Sequence, residues 1–165
     1  MIRPEITAYR PCVGIMLLNP KNQAWIGRRF EKQNDDGIGK WWQMPQGGID
    51  DGEDLKAAAL RELHEETGVI HASVIEESPR WYTYDLPDHL IGKSWGGKYR
   101  GQKQKWFALR FDGQDSEIQL KVPGHKQEFD EWRWAEMSLV LDLIIPFKRS
   151  VYVELLKDFA HLEKY

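Results

Sequence analysis

The 165-residue chain is short of several things, and each shortage removes a class of function. Cys12 is its only cysteine, so neither an internal disulfide nor a thiolate-rich zinc site can form, and a reducing cytoplasm is the expected compartment. Mean hydropathy is −0.62 and no apolar run approaches the ~18 residues of a membrane helix, so no membrane association is expected. The opening Met1-Ile2-Arg3-Pro4-Glu5-Ile6 does not read as a secretory signal, because a charge and a proline interrupt any apolar stretch. Excess charge of one sign is also lacking. A net −3 argues against a generic nucleic-acid coat and leaves room only for a small, local contact with RNA. No internal repeat or low-complexity segment stands out. What is abundant is tryptophan, eight residues in all, in a chain that is 41% hydrophobic and 30% charged. That balance suits one packed domain spanning residues 1–165.

Hydrophobic patterning predicts short strands around two helices. Val13 to Leu18 is apolar apart from Gly14 and reads as a buried strand. Asn19-Pro20-Lys21-Asn22 is a turn, and Ala24 to Phe30 reads as the returning strand of a hairpin. Glu31 to Lys40 is polar and reads as a loop. Further strands are expected at Trp42–Met44, Ala72–Ile75, Trp81–Tyr84, Lys105–Phe111 and Glu128–Ala135. Asp54 to Thr67 is rich in Ala, Leu and Glu, with Leu55, Ala59 and Leu63 four apart and Gly68 as its stop. Phe147 to Leu162 repeats apolar residues at 147, 151, 155, 159 and 162 behind Pro146, which predicts a second helix. Strands around two unequal helices indicate an α/β fold with a mixed sheet between helical layers.

The first helix carries an unusual charge pattern. Glu62, Glu65 and Glu66 lie three and four apart and share an arc of roughly 100°. Like charges at ~6 Å repel by about 2–3 kcal/mol per pair at an effective dielectric of ~20. All three also sit in the last turns, where the helix dipole already places negative charge. Most charge runs on helices are merely solvated faces. This one costs stability unless a cation offsets it, and oxygen ligands of this kind suit a hard divalent ion such as magnesium.

The spacing is more specific than the charge. Gly47, Glu53, Arg61, Glu62, Leu63, Glu65, Glu66, Gly68 and Val69 fill every defined position of the pattern G-x5-E-x7-R-E-U-x-E-E-x-G-U, where U is aliphatic. The segment 47–69 is identified as a Nudix box. The resemblance implies the Nudix α/β/α sandwich around a mixed sheet. It also implies a loop–helix–loop in which Glu62, Glu65 and Glu66 bind catalytic magnesium, with manganese able to replace it. The Gly47 carbonyl is a further ligand in this family, while Glu53 and Arg61 are a mainly structural pair holding loop and helix in register. His64 falls off the pattern and is expected to be incidental.

The match extends beyond the box. Tyr9-Arg10-Pro11, the run from Trp42 to Asp50, Gly101 to Phe107, Glu128 to Trp134 and Phe147-Lys148-Arg149 resemble the Nudix subfamily of RNA pyrophosphohydrolases and dinucleoside polyphosphate hydrolases. By that resemblance Glu128 is an additional metal-binding glutamate. Arg10 and Arg29 match residues that contact substrate phosphates, a task that suits the planar guanidinium fork. Tyr84 matches a base-pocket tyrosine, and Phe147 and Lys148 match a pair that contacts a base. One stretch points to a polyphosphate partner without any family argument. His89 to Phe111 holds no acidic residue but includes Lys103 and Lys105, with Trp95, Tyr99 and Trp106 interleaved. Cations beside aromatic platforms are what a nucleotide or single strand needs, and Lys103 and Lys105 also lie within the family motif. The loop 31–40 is longer than in the shorter bacterial RNA enzymes and is placed to alter the pocket.

The expected chemistry is magnesium-dependent hydrolysis of a phosphoanhydride, with Glu66 or Glu62 activating the water. The leading expectation is an RNA 5′ pyrophosphohydrolase. The alternative is an asymmetric diadenosine tetraphosphate hydrolase giving ATP and AMP. A catalytically inactive nucleotide- or RNA-binding regulator would show an eroded box, whereas all three glutamates are present. Expected partners are 5′-phosphorylated RNA ends or dinucleoside polyphosphates, and nothing in the sequence points to a stable protein partner.

Overall fold

The computed structural model describes residues 8–30 and 41–164. A hairpin opens the fold, with β1 (Tyr9–Leu18) and β2 (Ala24–Arg29) joined by the expected turn. Asn19 organises that turn, its side-chain oxygen accepting the backbone N–H of Lys21 and of Gln23. Two short strands follow, β3 (Trp42–Gln43) and β4 (Gln46–Gly48), then helix α1 (Leu55–Thr67). Next come β5 (Ala72–Glu77), β6 (Tyr82–Asp85), β7 (Gly101–Phe111) and β8 (Phe129–Ala135). Helices α2 (Met137–Leu143) and α3 (Arg149–Asp158) complete the chain.

The strands form one mixed sheet ordered β3-β2-β1-β7-β5, with β4 beside β1, β6 beside β7 and β8 beside β2. Only β1 and β7 run parallel, in register from Tyr9 opposite Gly101 to Leu18 opposite Arg110. Cys12–Leu18 of β1 and Trp106–Leu109 of β7 are covered on both faces, which is why these stretches are nearly continuously apolar rather than alternating. Val13, Ile15 and Leu17 face α1, packing with Leu63 and Phe107. Met16 and Leu18 face the other way, against a layer containing Tyr152 and Leu155. The result is the helix–sheet–helix sandwich expected from the sequence. Gly14 is required at the centre, because a Cβ there would collide with the Trp106 indole. No helix among the described residues is long and apolar enough to cross a membrane.

Helix α1 begins and ends where the sequence places it. Asp54 accepts the Ala57 N–H at 3.1 Å, and Gly68, at φ 75°, donates its N–H to the His64 carbonyl. The C-terminal helix differs from expectation. A 3-10 turn at Pro146–Lys148 precedes α3, and a second 3-10 segment at Ala160–Lys164 follows it. The apolar stripe of Val151, Leu155, Phe159 and Leu162 is buried all the same, so packing tolerates the breaks. Strand β4 and helix α2 were not anticipated. Both are short, and β4 contains two glycines that carry no hydrophobic period. The expected loop Glu31–Lys40 lies outside the described residues.

Candidate active site

A cleft of about 450 Å³ opens where β4 and α1 meet the ends of β1, β6 and β7. One wall is acidic. Glu62, Glu65 and Glu66 line it from α1, and Glu128 joins them from the residue preceding β8. Gly47 makes the close approach possible, because a Cβ there would fall on the Glu62 carboxylate.

Arg61 organises this wall. Its Nε and Nη2 bind the two Glu53 oxygens at 2.7 and 2.8 Å, and Nη2 also donates to the Gly48 carbonyl at 2.9 Å. Glu53 closes the loop by accepting the Asp50 N–H, and its carboxyl is held down at about 2, chiefly by the Arg61 hydrogen bonds. Thus Glu53 and Arg61 tie loop 48–53 to the helix. Arg61 does more than the sequence suggests, since its Nη1 reaches Glu62 at 2.9 Å and Glu65 at 3.3 Å. Part of the expected repulsion is therefore offset from within the helix.

Glu66 receives no such cation. It is 7% exposed and accepts the Gln46 N–H at 3.3 Å. Burial, then the charges of Glu62 and Glu128, push its carboxyl well above the ordinary value. Burial also raises Glu62, against the pull of Arg61. Among the described residues no three acidic, histidine or cysteine side chains converge into a closed metal-ligand group. The donor set is nevertheless all carboxylate, crowded and partly buried, and lacks any thiolate. That chemistry fits a hard divalent cation, which would relieve Glu66 in particular.

A second set of residues lining the cleft is basic and aromatic. Arg10 from β1 and Arg29 from β2 line the cleft, as do Tyr84, Phe147 and Lys148. The rings of Tyr84 and Phe147 lie 5.7 Å apart, and the Lys148 ammonium sits 5.8 Å from the Tyr84 ring centre. Lys148 is 7% exposed and donates to the Gln43 side chain at 3.2 Å. Burial, then the nearby Arg29 charge, lowers it to about 7. Cys12 is buried beneath the arginine, and its thiol is pushed up to about 11 mainly by burial, so it is no nucleophile.

Other expected residues are placed elsewhere. Lys103 and Lys105 do not line the cleft. Strand alternation turns Gln102 and Gln104 to the cleft side and both lysines to the α1 side, where they approach the ring of the half-exposed Trp81 at 5.3 and 5.9 Å. Lys105 also pairs with Glu77 at 3.4 Å. Trp106 is core, fully buried, its indole N–H bound to Gln104. His64 is exposed and does not line the cleft. Several cleft residues had no forecast role: Gln43, Gln46, Gln102, His125 and Lys126, with His125 Nδ1 3.8 Å from Glu65. No local pattern marks them, because they reach the cleft only through strand pairing and loop closure.

Comparison with known proteins is consistent with this geometry. RNA pyrophosphohydrolase of Brucella ovis is 54% identical over 166 residues, covering 98% of this chain and 93% of that protein. The protein of the same name from Brucella anthropi is 53% identical, covering 98% and 95%. Among solved structures, a C. elegans Ap4A hydrolase binary complex superposes with a TM-score of 0.63 at 18% identity, covering 92% of this chain and 98% of the other. The E. coli dihydroneopterin triphosphate pyrophosphohydrolase superposes at 0.64 and 18%, covering 91% and 97%. At such identity these two structures speak to the fold alone. The NUDIX domain model matches residues 8–155, which takes in both walls of the cleft and the whole 47–69 box, and the chain belongs to the Nudix family, whose hydrolases work with divalent metal ions.

Proposed function

We propose that this chain is a magnesium-dependent RNA 5′ pyrophosphohydrolase of the cytoplasm, working as one domain. It converts a 5′-triphosphorylated RNA end to a 5′-monophosphate and so promotes RNA decay. The observation that carries this reading is that a crowded set of carboxylates and the guanidinium groups of Arg10 and Arg29 line one cleft. A polyphosphate bridged to a cation satisfies both walls at once. The names of the Brucella relatives, at 53–54% identity over nearly the full chain, point to RNA as the substrate.

Glu62, Glu65, Glu66 and Glu128, with the Gly47 carbonyl, would hold the magnesium ion, or manganese in its place. Such an ion supplies charge neutralisation and water activation. In the proposed reaction a water oxygen forms a bond to phosphorus in line with the leaving oxygen, the anhydride P–O bond breaks, and pyrophosphate departs. A glutamate takes the water proton. Glu66 suits that role better than Glu62, because Arg61 already occupies Glu62 whereas Glu66 holds only a backbone N–H. Arg10 and Arg29 steady the charge that builds on the phosphates. Tyr84, Phe147 and Lys148 hold a base, while Lys103 and Lys105 beside Trp81 contact the RNA chain outside the cleft.

The aromatic pair Tyr84 and Phe147 also favours a second reading, an asymmetric diadenosine tetraphosphate hydrolase giving ATP and AMP. The test is kcat/KM for 5′-triphosphorylated RNA beside that for diadenosine tetraphosphate, both with magnesium. A clear preference for RNA is expected. A preference for the dinucleotide replaces the first reading with the second.

A further inference from the structure

Arg10 is an unusual arginine. It lines a cleft rich in carboxylates, yet among the described residues it forms no ion pair. Among the described residues its one side-chain hydrogen bond goes to the Cys12 sulfur at 3.4 Å, a weak acceptor. Its guanidinium lies against Gly48, where any Cβ would collide with it. A fork this free of partners needs another means of orientation, and the indole of Trp95 supplies one. The Arg10 Cζ lies 5.5 Å from the Trp95 ring centre, within cation–π range, and a planar guanidinium stacks well on an aromatic face while keeping its in-plane N–H donors available.

The backbone carrying Trp95 supports a purpose beyond packing. Trp95 adopts φ 51° and ψ 39°, the left-handed region that a bulky side chain avoids. Gly92, Gly96 and Gly97 around it all have positive φ. The segment doubles back so tightly that a Cβ on Gly97 would sit 2.9 Å from the Gly92 carbonyl oxygen. Tyr99 meets the indole edge-on, with ring centres 6.3 Å apart. Strained residues of this kind persist where their surroundings over-determine them, and they cluster at functional sites. Here the strain delivers an indole to the lip of the cleft, against a guanidinium that forms no ion pair among the described residues.

We propose that Trp95 is a positioning residue. Its ring holds the Arg10 guanidinium in the orientation that meets the substrate's phosphates, which extends the hydrolase reading above and rests on it for the substrate's class. The experiment is a double-mutant cycle of Trp95→Ala and Arg10→Ala, with Trp95→Phe as the conservative variant. Both kcat/KM for triphosphorylated RNA and the affinity for inorganic pyrophosphate with magnesium are measured on all proteins. Trp95→Ala is expected to lower kcat/KM and pyrophosphate affinity about tenfold, and Trp95→Phe to restore most of both. In the Arg10→Ala background the same change is expected to cost less than about twofold, since the partner it orients is gone. Losses that add across the cycle, or a Trp95→Ala protein indistinguishable from the parent, would overturn the proposal. The pyrophosphate arm decides the matter even if Arg10→Ala has no turnover. A parent protein that binds pyrophosphate but hydrolyses no RNA would defeat the substrate reading, while the binding cycle would still judge Trp95.

Discussion

The two walls of the cleft are built in opposite ways. The acidic wall is local. Three of its four carboxylates lie within five residues on α1, and Arg61 on the same helix binds two of them. The basic wall is assembled from β1, β2, β6 and the turn before α3, so that Arg10 and Lys148 stand 138 positions apart in the chain. Glu62 and Glu65 are compensated where they arise, whereas Glu66 and Glu128 form no ion pair among the described residues. Among the described residues Arg10, Arg29 and Lys148 form no ion pair, and Lys148 meets the Gln43 amide and the Tyr84 ring. A ligand that is anionic over its length and carries a hard cation completes both walls, and that contrast is the physical case for a polyphosphate.

The largest effect should come from the acidic wall. Glu62→Gln is expected to lower kcat by about 10³-fold with little change in melting temperature. A fully active purified variant would remove Glu62 from the catalytic wall. Next is Arg61→Ala, which unties loop 48–53 and uncovers two carboxylates at once. Both thermal stability and kcat should fall together, and a loss of activity with unchanged melting would confine Arg61 to chemistry.

Acid stability sharpens the same point. The Glu53 carboxyl sits at about 2 in the folded protein against an ordinary 4.5, so the unfolded chain binds the proton first. Its contribution is complete above 4.5 and disappears as pH falls towards 2. Urea unfolding at pH 7 and pH 3 should show a smaller drop in Glu53→Gln than in the parent. An equal drop would mean that other carboxylates govern the acid limb.

Changes on the basic side should be smaller and more selective. Lys103→Ala with Lys105→Ala is expected to reduce kcat/KM for long RNA roughly threefold to tenfold, more at low salt, and to leave diadenosine tetraphosphate untouched. Equal losses on both substrates would argue against a contact with the RNA chain. A separate readout concerns Lys148, which falls from 10.5 to about 7 on folding. Between those values the unfolded chain holds the extra proton, so stability should rise with pH from about 7 to about 10. Lys148→Met should flatten that rise, and a persistent slope would assign it to another group.

The acidic wall was legible because helix geometry is a local rule. Residues three and four apart must share a face, so the positions of Glu62, Glu65 and Glu66, the cap at Asp54 and the stop at Gly68 all followed from spacing. The position of Lys103 and Lys105 was not legible to the same degree. Their charge and aromatic neighbours were visible, but which face of the sheet they occupy depends on the register of β7 against β1 and β6. A shift of one residue would exchange them with Gln102 and Gln104. Trp95 was noticed only as one ring among several. Its left-handed backbone and its stack on Arg10 arise from a glycine-rich loop closing onto a distant strand.

By itself, then, the chain's sequence determined the α/β class, the box helix, its carboxylate face and the family. Each of these rests on periodicity or spacing within some two dozen residues, where backbone geometry leaves one arrangement. Tertiary structure alone decided which cations share the cleft with those carboxylates, that Arg61 neutralises two of them, that the two lysines turn away, and that an indole lies against Arg10. These depend on contacts between segments up to 138 positions apart, whose meeting is set by sheet register and packing of the whole core rather than by any local pattern.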